Sequence, residues 1–198
     1  MLLLDADGVV LKKGEYFSER FSREYNVPLE EVLMFFKNVY GDCQAGTKDL
    51  KQELIPYLRQ WNWEGSVDDF LDYWFEDVEI NTEIVAIIEE FKQRGISVYL
   101  ASNNEHYRAR AIEEALGNML DGYFFSADLK VKKTNSEYFS KVAESLGVET
   151  NEMNFVDNDE RNISAATEAG VNARLFNDKV MKELLEENML TEFKIKNQ

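Results

Sequence analysis

Two aspartates two residues apart, followed by glycine, close a short apolar run at the start of the chain: Leu2, Leu3 and Leu4 lead into Asp5-Ala6-Asp7-Gly8. This spacing allows a division of labour in which one carboxylate attacks as a nucleophile and the other moves protons. Three more polar clusters follow later apolar runs, namely Ser102-Asn103-Asn104, Lys132-Lys133-Thr134 and Asp157-Asn158-Asp159. Carboxylates, a hydroxyl and a lysine are what phosphoryl transfer through a covalent acyl phosphate needs. Asp5 would attack phosphorus, while Asp7 would protonate the leaving oxygen and later deprotonate the hydrolytic water. Mg2+ takes oxygen ligands, commonly one or two carboxylates with water and phosphate, so Asp5 and Asp157 are its candidates. Such an ion would also offset the repulsion between carboxylate and phosphate. Lys133 and Ser102 would hold the charge that spreads over the phosphoryl oxygens.

The elements that must position these groups are legible from periodicity. The Leu2 to Leu4 run reads as a buried strand ending at Asp5, with Gly8 suited to a tight turn. Residues 15–80 change to helical spacing rich in aromatics (Phe17, Phe21, Tyr25; Val32, Phe35, Phe36, Val39; Leu50, Leu54, Tyr57, Leu58) and read as about four helices, the last near 67–75. From Asn81 strand and helix alternate. A helix through Ile84, Ile87, Ile88 and Phe91 ends at Gly95, and strands are expected at 96–100, 123–125, 153–156 and 172–176. Helices are expected near 105–116, 135–146 and 162–169. Five strands joined by helices imply a parallel sheet covered on both faces, a Rossmann-like doubly wound α/β core. The division expected is 1–14 and 81–198 for the core and 15–80 for an inserted all-helical cap.

Composition narrows the function classes. Asp and Glu outnumber Lys and Arg by 38 to 22, for a formal net charge of -16, which disfavours nucleic-acid and anionic membrane partners. A small phosphorylated metabolite would itself be repelled unless a local cation, metal or lysine, met it at the site. Hydrophobic residues make up 44% and aromatics 13% of the 198, with two prolines, as in a folded globular protein. One cysteine, Cys43, leaves no internal disulfide framework and no multi-cysteine zinc site, which suits a reducing, cytoplasmic setting. No basic leader opens the chain and no window reaches about 18 apolar residues, so neither export nor membrane insertion is expected. Oligomeric state is not legible.

The motifs LLLDADGVV, YLASNN, FSADLKVKKTNSEYF and NFVDNDERNISAATEAG, in that order after four strands, resemble the haloacid dehalogenase superfamily. The likeness is to its phosphatase branch with a helical cap inserted after the first motif. The resemblance implies Asp5 as nucleophile and Mg2+ ligand, and Asp7 as acid/base and ligand through its backbone carbonyl. It implies Ser102, Asn103 and Lys133 as phosphate anchors, Asp157 as a metal ligand, and a sheet order of 5-4-1-2-3. Dehalogenases of the superfamily lack an aspartate two residues after the nucleophile, so Asp7 favours phosphate esters.

Three departures from the pattern stand out. Asn158 occupies a position that is often a second aspartate, which either lowers metal affinity or passes the role to Asp159. Thr134, rather than proline, follows Lys133, leaving Lys130 and Lys132 as rivals chosen against by the distance to Tyr138 and Phe139. Val9 replaces the usual threonine and removes a hydroxyl.

Each residue also has a plainer reading. Asp-x-Asp-Gly is common in turns, Ser102 suits a helix N-cap, adjacent lysines are commonly solvated, and Asp157-Asn158-Asp159 suits a capping turn. His106, the single histidine, lies either on the site rim or on an exposed helix face. Trp61, Trp63, Tyr73, Trp74 and Phe75 read as the cap's own core. The stretch 40–46 around Cys43 reads as a specificity loop, with a buried thiol as the alternative, and Glu186-Glu187 as solvated helix surface. Against phosphatase stand a phosphosugar mutase, which would return the group to a sugar hydroxyl, and a weakly active or non-catalytic binding module on the same fold.

Overall fold

A computed structural model describes residues 1–76, 78–177 and 179–187; residue 77 of the expected cap and residues 178 and 188–198 of the expected core lie outside the described residues. Strand β1 (Leu2–Leu4) is three residues long and central. Along β1 the side chains alternate between faces. Leu2 and Leu4 enter one apolar cluster and Leu3 another, and all three are buried because both faces of the sheet are covered.

Strands β2 (Val98–Ser102), β3 (Gly122–Phe125), β4 (Asn154–Asp157) and β5 (Asn172–Leu175) complete an all-parallel sheet of order β3-β2-β1-β4-β5. This is the 5-4-1-2-3 order read from the other edge. Leu4 sits in register with Leu100 on one side and Val156 on the other. The order reverses at β1, so the crevice between the carboxyl ends of β1 and β4 is the topological switch point, where ligands bind in such sheets.

Five helices make up the insertion: α1 (Phe17–Tyr25), α2 (Leu29–Phe35), α3 (Gly41–Gln44), α4 (Leu50–Gln60) and α5 (Val67–Phe75). A π-helical turn, Phe36–Tyr40, joins α2 to α3 without a break in helical backbone angles. These inserted helices bury a cluster of their own, with Phe21, Phe35 and Phe70 fully buried and Phe17 stacked on Trp74. Trp61 and Trp74 are buried in it as well, so the aromatic set is mainly core. The two chain crossings pair with each other, Lys12 donating its amide to Glu79 and Asn81 to Val10.

Around the sheet lie α6 (Thr82–Gln93), α7 (His106–Leu116), α8 (Ser126–Leu129), α9 (Glu137–Leu146) and α10 (Glu160–Glu168), and residues 180–187 are helical. No helix among the described residues is long and apolar enough to cross a membrane.

Boundaries moved for local reasons. The strand expected at 96–100 begins at Val98 because Ile96 still closes α6, donating its amide to the Phe91 carbonyl past Gly95 at φ +75. That shift makes Ser102 the last strand residue. α10 begins at Glu160, earlier than expected, because Asp159 caps it by accepting from the Arg161 amide. α9 begins at Glu137, with Asn135 accepting the Glu137 amide in front of it. The four-residue α8 was not foreseen, being too short to show a helical period.

Candidate active site

Asp5 leaves β1 with its amide bonded to the Val156 carbonyl of β4, so its side chain emerges at the switch point. The backbone then turns sharply, with Gly8 at φ +88 and its amide on the Leu11 carbonyl. Only glycine adopts that angle without strain, and a Cβ there would lie 2.4 Å from the Asn158 side-chain nitrogen.

Three buried charges meet below this turn. Lys133 is 1% exposed, and its ammonium donates to Asp5 Oδ1, to Asp157 Oδ2 at 2.7 Å and to the Ala101 carbonyl at 2.9 Å. All three of its protons are thus used. Burial opposes its charge, but Asp5 and Asp157 outweigh this and raise its pKa, so it stays protonated. Asp5 is itself pushed up to about 7, chiefly by burial, with Asp157 and Asp7 adding and Lys133 opposing. Neither Lys130 nor Lys132 reaches the acids: Lys130 donates to the Gly46 carbonyl, and the Lys132 ammonium lies toward Gly41.

Asp157 is fully buried and held on both oxygens. Oδ1 accepts from the Asp159 amide at 2.7 Å, and Oδ2 from Lys133 and from Asn162 Nδ2 at 3.0 Å. Asp159 itself is turned away, since its carboxylate accepts from the backbone and guanidinium of Arg161, which hold its pKa down. Asn158 donates to the Asp7 carbonyl at 2.8 Å.

On the β2 side, Ser102 is buried and its hydroxyl accepts from Asn104 Nδ2 at 2.8 Å. Asn103 supports the lysine through its side chain, whose Oδ1 accepts the Lys133 amide at 2.8 Å, while its carbonyl accepts from Gln44 of α3.

Asp7 stands apart from this buried set. Its side chain is 54% exposed and accepts from Arg108 Nη2 at 2.8 Å and, more weakly, from Asn104 at 3.4 Å. It borders a cleft of about 1520 Å³ between the sheet's carboxyl edge and the inserted helices, with Asn103, Asn104 and Asn158 beside it. The opposite wall includes Phe17, Leu33, Phe36, Tyr40 and Trp74. The π-helical turn sets Phe36, Tyr40 and Gln44 along one cleft-facing line, a use to which such turns are often put.

The expected residues therefore gather in two layers, Asp5, Lys133 and Asp157 below and Asp7, Asn103 and Asn158 at the cleft. Sequence reasoning missed Arg108 and Asn162, named Asn104 within its polar cluster without giving it a role, and reached Gln44 only as part of the 40–46 stretch. Arg108 had only one signal, its place in the first turn of the helix after a strand end. His106 pairs instead with Asp128 at 3.1 Å, and Cys43 is buried.

The sequence model of the haloacid dehalogenase-like hydrolase family matches residues 1–170. Among solved structures, a HAD family enzyme of Bacteroides thetaiotaomicron in complex with magnesium and inorganic phosphate superposes with a TM-score of 0.74 at 19% identity, covering 89% of this chain and 93% of its own. A predicted HAD-like family hydrolase of Porphyromonas gingivalis gives 0.75 at 18% identity, covering 93% of this chain and 96% of its own. L-2-haloacid dehalogenase from Xanthobacter autotrophicus, with chloropropionic acid covalently bound, gives 0.64 at 15% identity over 87% of this chain and 75% of its own. These likenesses establish a shared fold.

Proposed function

This chain belongs to the haloacid dehalogenase-like hydrolase family, and within it we propose a Mg2+-dependent phosphatase acting on a small phosphomonoester, of the sugar phosphate or nucleotide class, through an aspartyl-phosphate on Asp5. The observation that carries the reading is Asp7, a second carboxylate two residues on that stands in the cleft where a leaving oxygen would need a proton. Halide departure needs no such donor. The magnesium and phosphate of the Bacteroides enzyme support the same chemistry.

The donors present fit Mg2+. Among the described residues no three His, Cys, Asp or Glu form a metal cage, and Mg2+ does not ask for one: two carboxylates and a carbonyl, completed by water and phosphate, suffice. Asp5 and Asp157 would hold it, with the Asp7 carbonyl, already bonded to Asn158, offering its second lone pair. When bound, the ion supplies positive charge against the phosphoryl oxygens.

Asp5 attacks phosphorus in line as the bond to the leaving oxygen breaks, and Asp7 gives that oxygen its proton. Asp7 then takes a proton from water, which attacks the same phosphorus and releases phosphate and the free Asp5 carboxylate. Lys133, its three protons taken by Asp5, Asp157 and the Ala101 carbonyl, offsets the charge of the two acids and would lend positive charge to the transferred group, for which Ser102 and Asn103 are the further anchors in this reading. In this reading residues 1–14 and 81–198 are the catalytic core and 15–80 the cap that encloses the substrate. The single buried thiol suits a cytoplasmic setting.

Release of phosphate from 4-nitrophenyl phosphate with added Mg2+ tests the reading. Wild-type turnover that is lost in EDTA and in Asp5→Asn is expected, and equal release by wild type and Asp5→Asn would overturn it. Analysis of sugar phosphate products separates a hydrolase, giving free phosphate, from a mutase, giving an isomer.

A further inference from the structure

We infer that Arg108 is the positioning residue for Asp7, fixing the orientation in which the carboxyl group meets the leaving oxygen; the inference rests on the phosphatase reading above. Asp7 needs such a support. Its side chain is 54% exposed at the edge of a large cleft, where a short carboxylate would otherwise sample several rotamers.

Arg108 provides it from a rigid base. Its own side chain is only 17% exposed, and Nη2 lies 2.8 Å from Asp7 Oδ1. The start of α7 is pinned by Glu105, itself 1% exposed, whose two carboxylate oxygens accept the amides of Tyr107 at 2.7 Å and Arg108 at 2.8 Å. The guanidinium lies 5.6 Å from the centre of the Phe75 ring in α5, so the inserted helices help hold it. Asn104 reaches the other Asp7 oxygen at 3.4 Å while tied to Ser102 at 2.8 Å. With Oδ1 fixed by Arg108 and Oδ2 only weakly approached by Asn104, the carboxyl group presents Oδ2 as the oxygen that carries the proton to the leaving group, and the transfer depends on that aim.

The test is a series of substituted phenyl phosphates of nearly equal size, from 4-nitrophenyl to 4-methoxyphenyl, with wild type, Arg108→Gln and Arg108→Lys in Mg2+. A good leaving group departs without a proton, whereas a poor one requires Asp7. Arg108→Gln is expected to lower kcat by roughly 100-fold on 4-methoxyphenyl phosphate and by less than about 3-fold on 4-nitrophenyl phosphate, with KM little changed. Arg108→Lys should recover part of the loss, and Arg108→Gln should cost nothing further in an Asp7→Asn background. A uniform loss across the series, or a KM that rises for every ester, would assign Arg108 to substrate binding or to folding and overturn the inference while leaving the phosphatase reading intact. Wild-type protein that releases no phosphate from any member overturns both.

Discussion

The Asn158 side chain donates to the main-chain carbonyl of Asp7 across 2.8 Å, tying the loop after β4 to the loop after β1. The same nitrogen lies where a Cβ on Gly8 would fall, 2.4 Å away. One amide thus orients the peptide between Asp7 and Gly8, and in the proposed reading it leaves the metal site with two carboxylates, Asp5 and Asp157. An aspartate at this position could not donate to the carbonyl and would add a third negative charge.

Asn158→Asp therefore trades structure for metal binding. Without metal, the lost hydrogen bond and the added repulsion should lower the melting temperature by roughly 2–6 °C. Mg2+ should then restore more stability than it gives wild type, because binding to the native state alone is stabilising. Thermal melts in EDTA and in Mg2+ read this directly. An identical Mg2+ shift in both proteins would show that Asn158 has no bearing on the metal.

Gly8→Ala combines two costs, the positive φ and the close approach to Asn158. The backbone strain alone is worth about 1–3 kcal/mol. Trimming the neighbour in the Gly8→Ala, Asn158→Ala pair should return the steric part and leave the φ part. Urea unfolding of the two single variants and the double measures the coupling. Strict additivity would mean that the two side chains do not share this space.

The groups that close apolar runs were legible because a buried parallel strand writes itself as an unbroken apolar stretch, so Asp5, Ser102 and Asp157 could be placed at one sheet edge from spacing, whereas Lys133, several residues past its strand, was singled out from Lys130 and Lys132 only through the family resemblance. Asp7 and Gly8 followed from local turn chemistry. Arg108 and Gln44 were not legible, for a different reason: each lies on a helix whose rotation about its axis decides whether it faces the cleft. For Gln44 that rotation is set by the π-helical turn Phe36–Tyr40, which leaves no mark on the hydrophobic period. Asn162 was likewise hidden, since only the packing of α10 under β4 brings it to Asp157.

Cys43 carries a pH dependence whose sign is fixed. Burial, with Glu53 and Glu105 adding to it, pushes its thiol up to about 12. Above the ordinary thiol range and up to about 12 the native chain keeps a proton that the unfolded chain has lost, so this group's contribution to stability is full at neutral pH and declines as pH rises. Native protein at pH ~8 should react with a thiol reagent only as fast as it opens, while unfolded protein reacts at once. Immediate stoichiometric labelling of the native chain would contradict the burial.

The tip of the insertion is fastened to the core at Gly46. This residue adopts φ +64, and a Cβ on it would lie 2.2 Å from the Ala127 carbonyl oxygen of α8. Around it Gln44 donates to the Asn103 carbonyl at 2.7 Å, Ser126 donates to the Gln44 carbonyl at 2.6 Å and Lys130 donates to the Gly46 carbonyl at 2.7 Å. Gly46→Ala cannot keep all three contacts, because the obstruction is backbone and cannot rotate away. The variant should lose about 1–3 kcal/mol and expose the amides of residues 41–49 to faster hydrogen exchange. Since Asn103 also carries the Lys133 amide on its side chain, the loosening should reach the buried charges and lower kcat together with kcat/KM. Unchanged exchange in 41–49 alongside lowered activity would mean that Gly46 acts on the site by some route other than this fastening.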